Sequence, residues 1–203
     1  MAQDLGRPIA PPADLNTRGL RLARVSPRNW CRLFLGAHGP CFYSASTGNR
    51  FSSPGCPVLY LGDKMVTVFW ETFWDDLGPL SEKDRLLSKT KLAARDVIRV
   101  TARREFRVFD ATNARALKAV SATPGTFTGD YAHCQAWAVA LLHHSEAPEG
   151  ILYPSARHKG GVCLALFGSR TDCADLNFFD RESAQDSLPI RSLLAREKIG
   201  LLR

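Results

Sequence analysis

Residues 57–77, PVLYLGDKMVTVFWETFWDDL, change from one repeat to another within a few positions, and no other stretch constrains the fold as much. Pro57 to Leu61 is a short apolar run of strand length. Met65, Val68, Phe69 and Thr72 then recur at three and four residues, the spacing of a helix that continues to about Leu77. Asp63 stands where a helix N-cap belongs, with a carboxylate that can accept a free N–H of the first turn. Glu71 follows Val68 by three residues, so this acid flanks the apolar stripe and sits among Phe69, Trp70, Phe73 and Trp74.

The remaining chain supplies both element types without regular alternation. Strands are predicted over Leu20–Val25, Val97–Val100, Phe106–Phe109, Val162–Phe167 and Leu176–Phe179. Helices are predicted over Ser81–Ala94, Asn113–Val120, the apolar segment DYAHCQAWAVALLHH behind its cap Asp130, and residues 183–203. Gly39, Pro40, Gly48, Pro54 and Gly55 break residues 37–56 into a loop that carries Arg50. A parallel doubly wound sheet would alternate strand and helix, so the fold class is α+β. Residues 1–18, rich in Pro, Asp and Asn, read as a flexible arm, and one domain runs from 19 to 203.

Composition narrows the classes. The chain has 203 residues, 45% hydrophobic and 23% charged, which suits one globular domain. It holds no apolar run approaching the roughly 18 residues of a membrane span. The start, MAQDLGRPIAPPADL, has neither a basic nor an apolar leader region, so a cytoplasmic location is expected. The net charge of +7 is concentrated early, with Arg7, Arg18, Arg21, Arg24, Arg28, Arg32 and Arg50 against Asp4 and Asp14. A basic surface favours an anionic ligand, an acidic protein partner or nucleic acid, and an ordinary solvated face has the same composition. No nucleic-acid motif selects among them. The six cysteines form no C-x-x-C pair and, with the five histidines, no zinc pattern, so they read as buried free thiols and no metal site is expected.

Four residues stand out chemically. Arg50 carries a permanent charge and a fork of donors suited to phosphate or carboxylate, from a loop beside a strand end. A surface arginine, or one paired with Glu71, fits the same pattern. Glu71 is costly to desolvate unless donors or a cation satisfy it. Held so, it can take a hydrogen bond from a sugar hydroxyl and stabilise positive charge in a transition state, and a solvent-facing position at the helix flank is equally open. Tyr60 is either a core tyrosine or a ring for stacking on an aromatic base. Ser155, in YPSARHKGG, lacks a G-x-S-x-G elbow, so a positioning hydroxyl fits better than a nucleophile. His133, His143 and His144 share a predicted helix but lack the H-E-x-x-H pattern of a zinc protease.

In order, GNRFSSPGCPVLYLGD, VFWE, FDATN, GDYAHCQAWA and GILYPSARHKGGVCLALF resemble the RES domain family, named for its arginine, glutamate and serine. The resemblance spans roughly residues 20–180. It implies a fold similar to ADP-ribosyltransferase toxins, with a small mixed sheet split around a dinucleotide cleft and flanked by helices. It implies a toxin of a bacterial toxin–antitoxin pair that degrades NAD+ by cleaving the nicotinamide–ribose bond. Phosphate or water is the acceptor, as in an NAD+ phosphorylase or glycohydrolase. Transfer of ADP-ribose to a protein is the alternative within the family, and a non-catalytic basic binding module is the alternative outside it. Carried over by position, the catalytic residues are Arg50, Glu71 and Ser155, and NAD+ is bound by Arg50, Tyr60, Ser155 and Arg24 of RLARV. NAD+ is then substrate, with inorganic phosphate as a co-substrate, and no bound cofactor is implied. The implied partner is a small antitoxin that blocks the cleft, with nucleic acid touched only through it. Asn49 and Phe51 depart from the glycine and tryptophan that flank the arginine in many relatives.

Overall fold

Ten strands and six α-helices lie along the described residues, 9–26 and 28–202, of the computed structural model. The strands are β1 (Leu22–Val25), β2 (Trp30–Leu35), β3 (Val58–Gly62), β4 (Leu86–Ser88), β5 (Arg95–Ala102), β6 (Phe106–Asp110), β7 (Gly150–Pro154), β8 (Val162–Phe167), β9 (Leu176–Ser183) and β10 (Gly200–Leu202). The helices are α1 (Met65–Leu77), α2 (Lys89–Ala93), α3 (Ala114–Ala119), α4 (Pro124–Thr128), α5 (Tyr131–Leu142) and α6 (Leu188–Arg196). Eight strands form one sheet in the order β1-β6-β7-β8-β3-β2-β5-β9, while β4 and β10 form a separate parallel pair. Only β6 and β7 run parallel in the large sheet, and α3, α4 and α5 make the crossover between them. The fold is α+β.

Alternation along the strands sorts side chains into two clusters. Trp30, Phe34, Leu59, Leu61, Ile98, Val100, Val108, Leu164 and Leu166 come from strands across the sheet yet form one cluster, so the sheet curls over that face. On the other face Val58, Ile151, Cys163 and Ala165 meet α4 and α5. Helix α5 buries Cys134, Trp137, Ala138, Leu141 and Leu142, a stripe at three- and four-residue spacing. The Asp130 carboxylate accepts the His133 N–H and caps it. Phe127 lies at the centre of this layer, its ring against those of Phe51, Phe109 and Trp137. A third cluster joins Phe69, Trp70, Phe73 and Leu77 of α1 to Ile190, Leu193 and Leu194 of α6.

Several expectations are corrected. Strand β2, WCRLFL, has no counterpart among the predicted strands. Residues 81–94 do not form one helix: a short 3-10 turn at Glu82–Asp84 leads into β4 and only Lys89–Ala93 is helical. The helix expected over 183–203 is confined to Leu188–Arg196, because Lys198 turns the chain with φ of 53° and β10 then pairs with β4. A distant strand partner overrides the helical preference of these charged segments. Asp63 does not cap α1. Its Oδ1 accepts from the Thr67 hydroxyl at 2.7 Å and from the Val162 N–H at 3.1 Å, which ties the helix start to β8.

The described part of the N-terminal arm, residues 9–18, runs along α5. The Trp137 indole N–H donates to the Ile9 carbonyl at 2.6 Å, and Leu15 is buried. His144 Nε2 meets the carbonyls of Leu15 and Arg18, so this nitrogen carries the proton, while Nδ1 accepts the Glu146 N–H. Residues 1–8 lie outside the described part. The free-thiol expectation holds for the buried Cys31, Cys56, Cys134 and Cys163. It fails for Cys41 and Cys173, which form a disulfide with Cα atoms 5.8 Å apart across 132 positions of sequence. Local spacing cannot announce a pair so distant. No helix among the described residues is long and apolar enough to cross a membrane.

Phe127→Ala is expected to cost about 3–5 kcal/mol of unfolding free energy, because it empties the centre of a closed layer. Leu188→Ala, at a residue 70% exposed, should stay within about 0.5 kcal/mol. Urea titrations compare the two, and equal costs would contradict this packing.

Candidate active site

Strands β2 and β3 meet at a single pair, Cys31 with Gly62. Beyond it they separate: β2 stays with β5, while β3 stays with β8 and is bridged at Val58 by Ser44. A cleft of about 510 Å3 opens at this split, lined by Arg32 and Phe34 of β2, Tyr60 of β3, and Arg50, Tyr131 and Tyr153. That volume falls within the roughly 300–1,000 Å3 usual for small-molecule sites. Helix α1 forms another wall. Its faces differ from expectation: Phe69, Trp70, Phe73 and Leu77 enter the core, whereas Val68, Glu71, Thr72 and Asp75, also at helical spacing, line the cleft. Glu71 is thus in the middle of the cleft-facing stripe.

Glu71 is held from the far side by the loop after β7. Its Oε1 accepts the Ser155 hydroxyl at 2.6 Å and the Arg157 N–H at 3.2 Å. Ser155 Oγ in turn accepts the N–H groups of Arg157, at 3.2 Å, and His158, at 2.9 Å. With its lone pairs so engaged, the serine hydroxyl points its proton at the carboxylate. That arrangement suits a positioning residue and not a nucleophile. No donor from the described residues is directed at Glu71 Oε2. A further layer fixes the loop: Thr67 gives its proton to Asp63, so its oxygen accepts from His158 Nδ1–H at 3.0 Å. Gly160 turns the loop with φ of 78°. A Cβ on Gly161 would lie 2.7 Å from both His158 Nδ1 and Thr67 Oγ1, so only glycine lets the loop close on α1.

Arg50 is 4% exposed. One nitrogen donates to the Gly129 carbonyl at 3.1 Å and the guanidinium lies 5.0 Å from the Tyr131 ring centre. Its Nε is buried with no hydrogen-bond partner among the described residues. Burial works against this charge, but Tyr153 and Glu71 oppose that effect and the net shift of its pKa is upward. Tyr60 sets the loop around it. The Tyr60 hydroxyl accepts the Phe51 N–H at 2.9 Å and donates to Ser52 Oγ at 3.3 Å, clamping the two residues that follow Arg50. Burial pushes the Tyr60 phenol up to about 12, so it remains a neutral donor.

The structure therefore brings Arg50, Tyr60, Glu71 and Ser155 together and leaves Arg24 out. Arg24 is on β1, separated from β3 by three strands, with its side chain 76% exposed and paired to Glu105 at 3.2 Å. The alternation that buries Val25 turns Arg24 outward. The arginine on the cleft wall that sequence reading missed is Arg32. It donates to the carbonyls of Pro40 and Phe42, and burial lowers its pKa to about 10, so it is charged at neutral pH. A lone cation in the apolar run WCRLFL is the same kind of anomaly as Glu71 and was the available signal. Among the described residues no three His, Cys, Asp or Glu side chains cluster as metal ligands.

The family model of the RES domain matches residues 21–187. The chain belongs to the RES domain family. This RES domain is similar in fold to a chain of the M. tuberculosis MbcT-MbcA toxin–antitoxin complex, with a TM-score of 0.63 and 22% identity over 91% of this chain and 94% of the other. No curated protein matches it significantly. Within the RES domain, Gly161→Ala is expected to cost about 1–3 kcal/mol by forcing the loop off Thr67. Gly55→Ala, whose Cβ meets nothing within 4 Å, should be near neutral. Chemical denaturation distinguishes the two.

Proposed function

We propose that this RES domain is the toxin of a toxin–antitoxin pair and degrades NAD+ at the β2–β3 cleft. One observation carries the reading: Arg50, with an unmet buried donor, and Glu71, fixed by Ser155, line the same cleft. A buried guanidinium with an unpaired N–H gains most from an anion. NAD+ offers that anion in its diphosphate and a cationic leaving group in its nicotinamide.

Arg50, joined by Arg32, binds the diphosphate. The Tyr60 ring shapes the wall beside the nicotinamide, its hydroxyl being committed to the Arg50 loop. Glu71 accepts a hydrogen bond from a hydroxyl of the nicotinamide ribose and faces the sugar as its positive charge grows. The glycosidic C–N bond breaks with both electrons passing to the nicotinamide nitrogen, which becomes neutral. An oxygen of phosphate or water then bonds to the anomeric carbon. Attack by phosphate gives ADP-ribose phosphate, and attack by water gives ADP-ribose and releases a proton. Ser155 acts by fixing Glu71. A small antitoxin that covers the cleft is the partner this reading requires, and the structural neighbour comes from a complex of that kind.

Product analysis with labelled NAD+, with and without phosphate, tests the reaction. Label in ADP-ribose phosphate supports phosphorolysis, and label in free ADP-ribose supports hydrolysis. Label on a protein band supports transfer to protein, and absence of nicotinamide release at high enzyme concentration would leave a binding module. Glu71→Gln should lower kcat about 10^2- to 10^3-fold with a smaller change in KM, because its role is concentrated in the transition state. Arg50→Ala should chiefly raise KM, by about ten- to a hundredfold, as expected on losing charge-assisted hydrogen bonds. An unaltered kcat in the first variant or KM in the second would remove that residue's role.

A further inference from the structure

We infer that Phe42, backed by His38, is the stacking platform for the adenine base of the dinucleotide; the inference rests on the NAD+ reading of the cleft. The two rings are stacked, with centroids 4.3 Å apart and planes 14° from parallel. Both residues line the same cleft as Arg50 and Glu71. Phe42 is nonetheless 38% exposed, a large apolar ring open to water on the cleft wall.

Its backbone is tethered on two sides. The Phe42 carbonyl accepts from an Arg32 nitrogen at 2.6 Å, and the preceding residue, Cys41, is bridged to Cys173. A flat ring on a fixed backbone loses little freedom when a base stacks on it. Arg32 joins the platform to the phosphate site: the buried guanidinium that would meet the diphosphate also holds the Phe42 carbonyl. The two ends of the substrate then fall on different parts of the cleft. The nicotinamide ribose lies at Glu71, the diphosphate lies at the arginines, and the adenine lies on Phe42. A base presents a π face of its own, and stacking on an aromatic side chain removes apolar area of both partners from water.

Calorimetric titration tests this in a Glu71→Gln background, which slows turnover during the measurement. The ligands are NAD+ and nicotinamide mononucleotide, which shares the nicotinamide end but lacks the adenosine half. Phe42→Ala is expected to weaken NAD+ binding about tenfold and to leave nicotinamide mononucleotide within about twofold. Phe42→Leu, which keeps apolar bulk without a π face, should show a similar loss, and Phe42→Tyr should retain NAD+ affinity. Melting curves establish that each variant is folded, and Phe42→Leu carries the test if the alanine variant is not. Undiminished NAD+ affinity in the folded alanine and leucine variants overturns the platform while leaving the NAD+ reading intact. So does an equal loss for both ligands. Failure of the parent chain to bind NAD+ at all overturns the NAD+ reading and the platform with it.

Discussion

Gly62 is where two constraints meet, and the cleft depends on both. It forms the single pair between β2 and β3, and a Cβ there would come within 2.6 Å of Val68 Cγ1. Helix α1 therefore packs against the end of β3 closer than any side chain at that position would allow. The chain turns from strand to helix at once, with Asp63 bonded to both Thr67 and Val162. Set so close, α1 cannot turn all its apolar residues into one core. One stripe packs on α6, and the other, bearing Glu71, faces the gap that opens as β2 leaves β3. The cleft is a consequence of the sheet failing to continue beyond one residue pair.

The cleft carries side chains of both charges. Arg32 and Arg50 are both buried, and neither has a carboxylate among the described residues in direct contact. Arg32 gives two of its N–H donors to the carbonyls of Pro40 and Phe42, in the loop that begins the cleft wall, whereas Arg50 has a buried Nε–H with no partner among the described residues. Desolvating a cation without a counter-charge is expensive, and a fold gains nothing structural from leaving a donor empty. Glu71 differs, because Ser155 and the Arg157 N–H satisfy one of its oxygens. The acid is oriented from behind by the loop after β7. Cations and an acid on the walls of one cleft are the basis of the NAD+ reading proposed above.

Local chemistry made part of this legible. The Asp130 cap and the Ala, Trp and Leu of α5 specify a buried helix without help from elsewhere, and the helix is found there. Likewise, an acid inside VFWETFW signals a special position wherever the segment is placed. Other features had no local signature. Leu86–Ser88 becomes a strand because residues 200–202 lie beside it, and the turn that brings them back uses Lys198 at positive φ in place of a glycine. Arg24 and Arg32 both lie in short apolar runs early in the chain, and only the position of each strand in the sheet separates them. Strand β1 is at an edge with Arg24 turned out, and β2 is at the split with Arg32 turned in.

Arg50, Tyr60 and Ser155 stood out together only through the resemblance to the RES domain family, whereas the sequence by itself determined the α+β class, the strand-to-helix switch at residues 57–77 and the anomaly of Glu71, an acid among aromatic residues. Those follow from periodicity, capping and the cost of burying charge, which act over a few residues. Only the tertiary structure decided that β2 and β3 part after one pair, that Ser155 meets Glu71 across 84 positions of sequence, and that Cys41 reaches Cys173. It also decided that Arg32, and not Arg24, belongs to the cleft. Hydrogen bonds and disulfides have a reach of a few ångströms, so they depend on which distant segments the packing makes neighbours, and no local pattern records that.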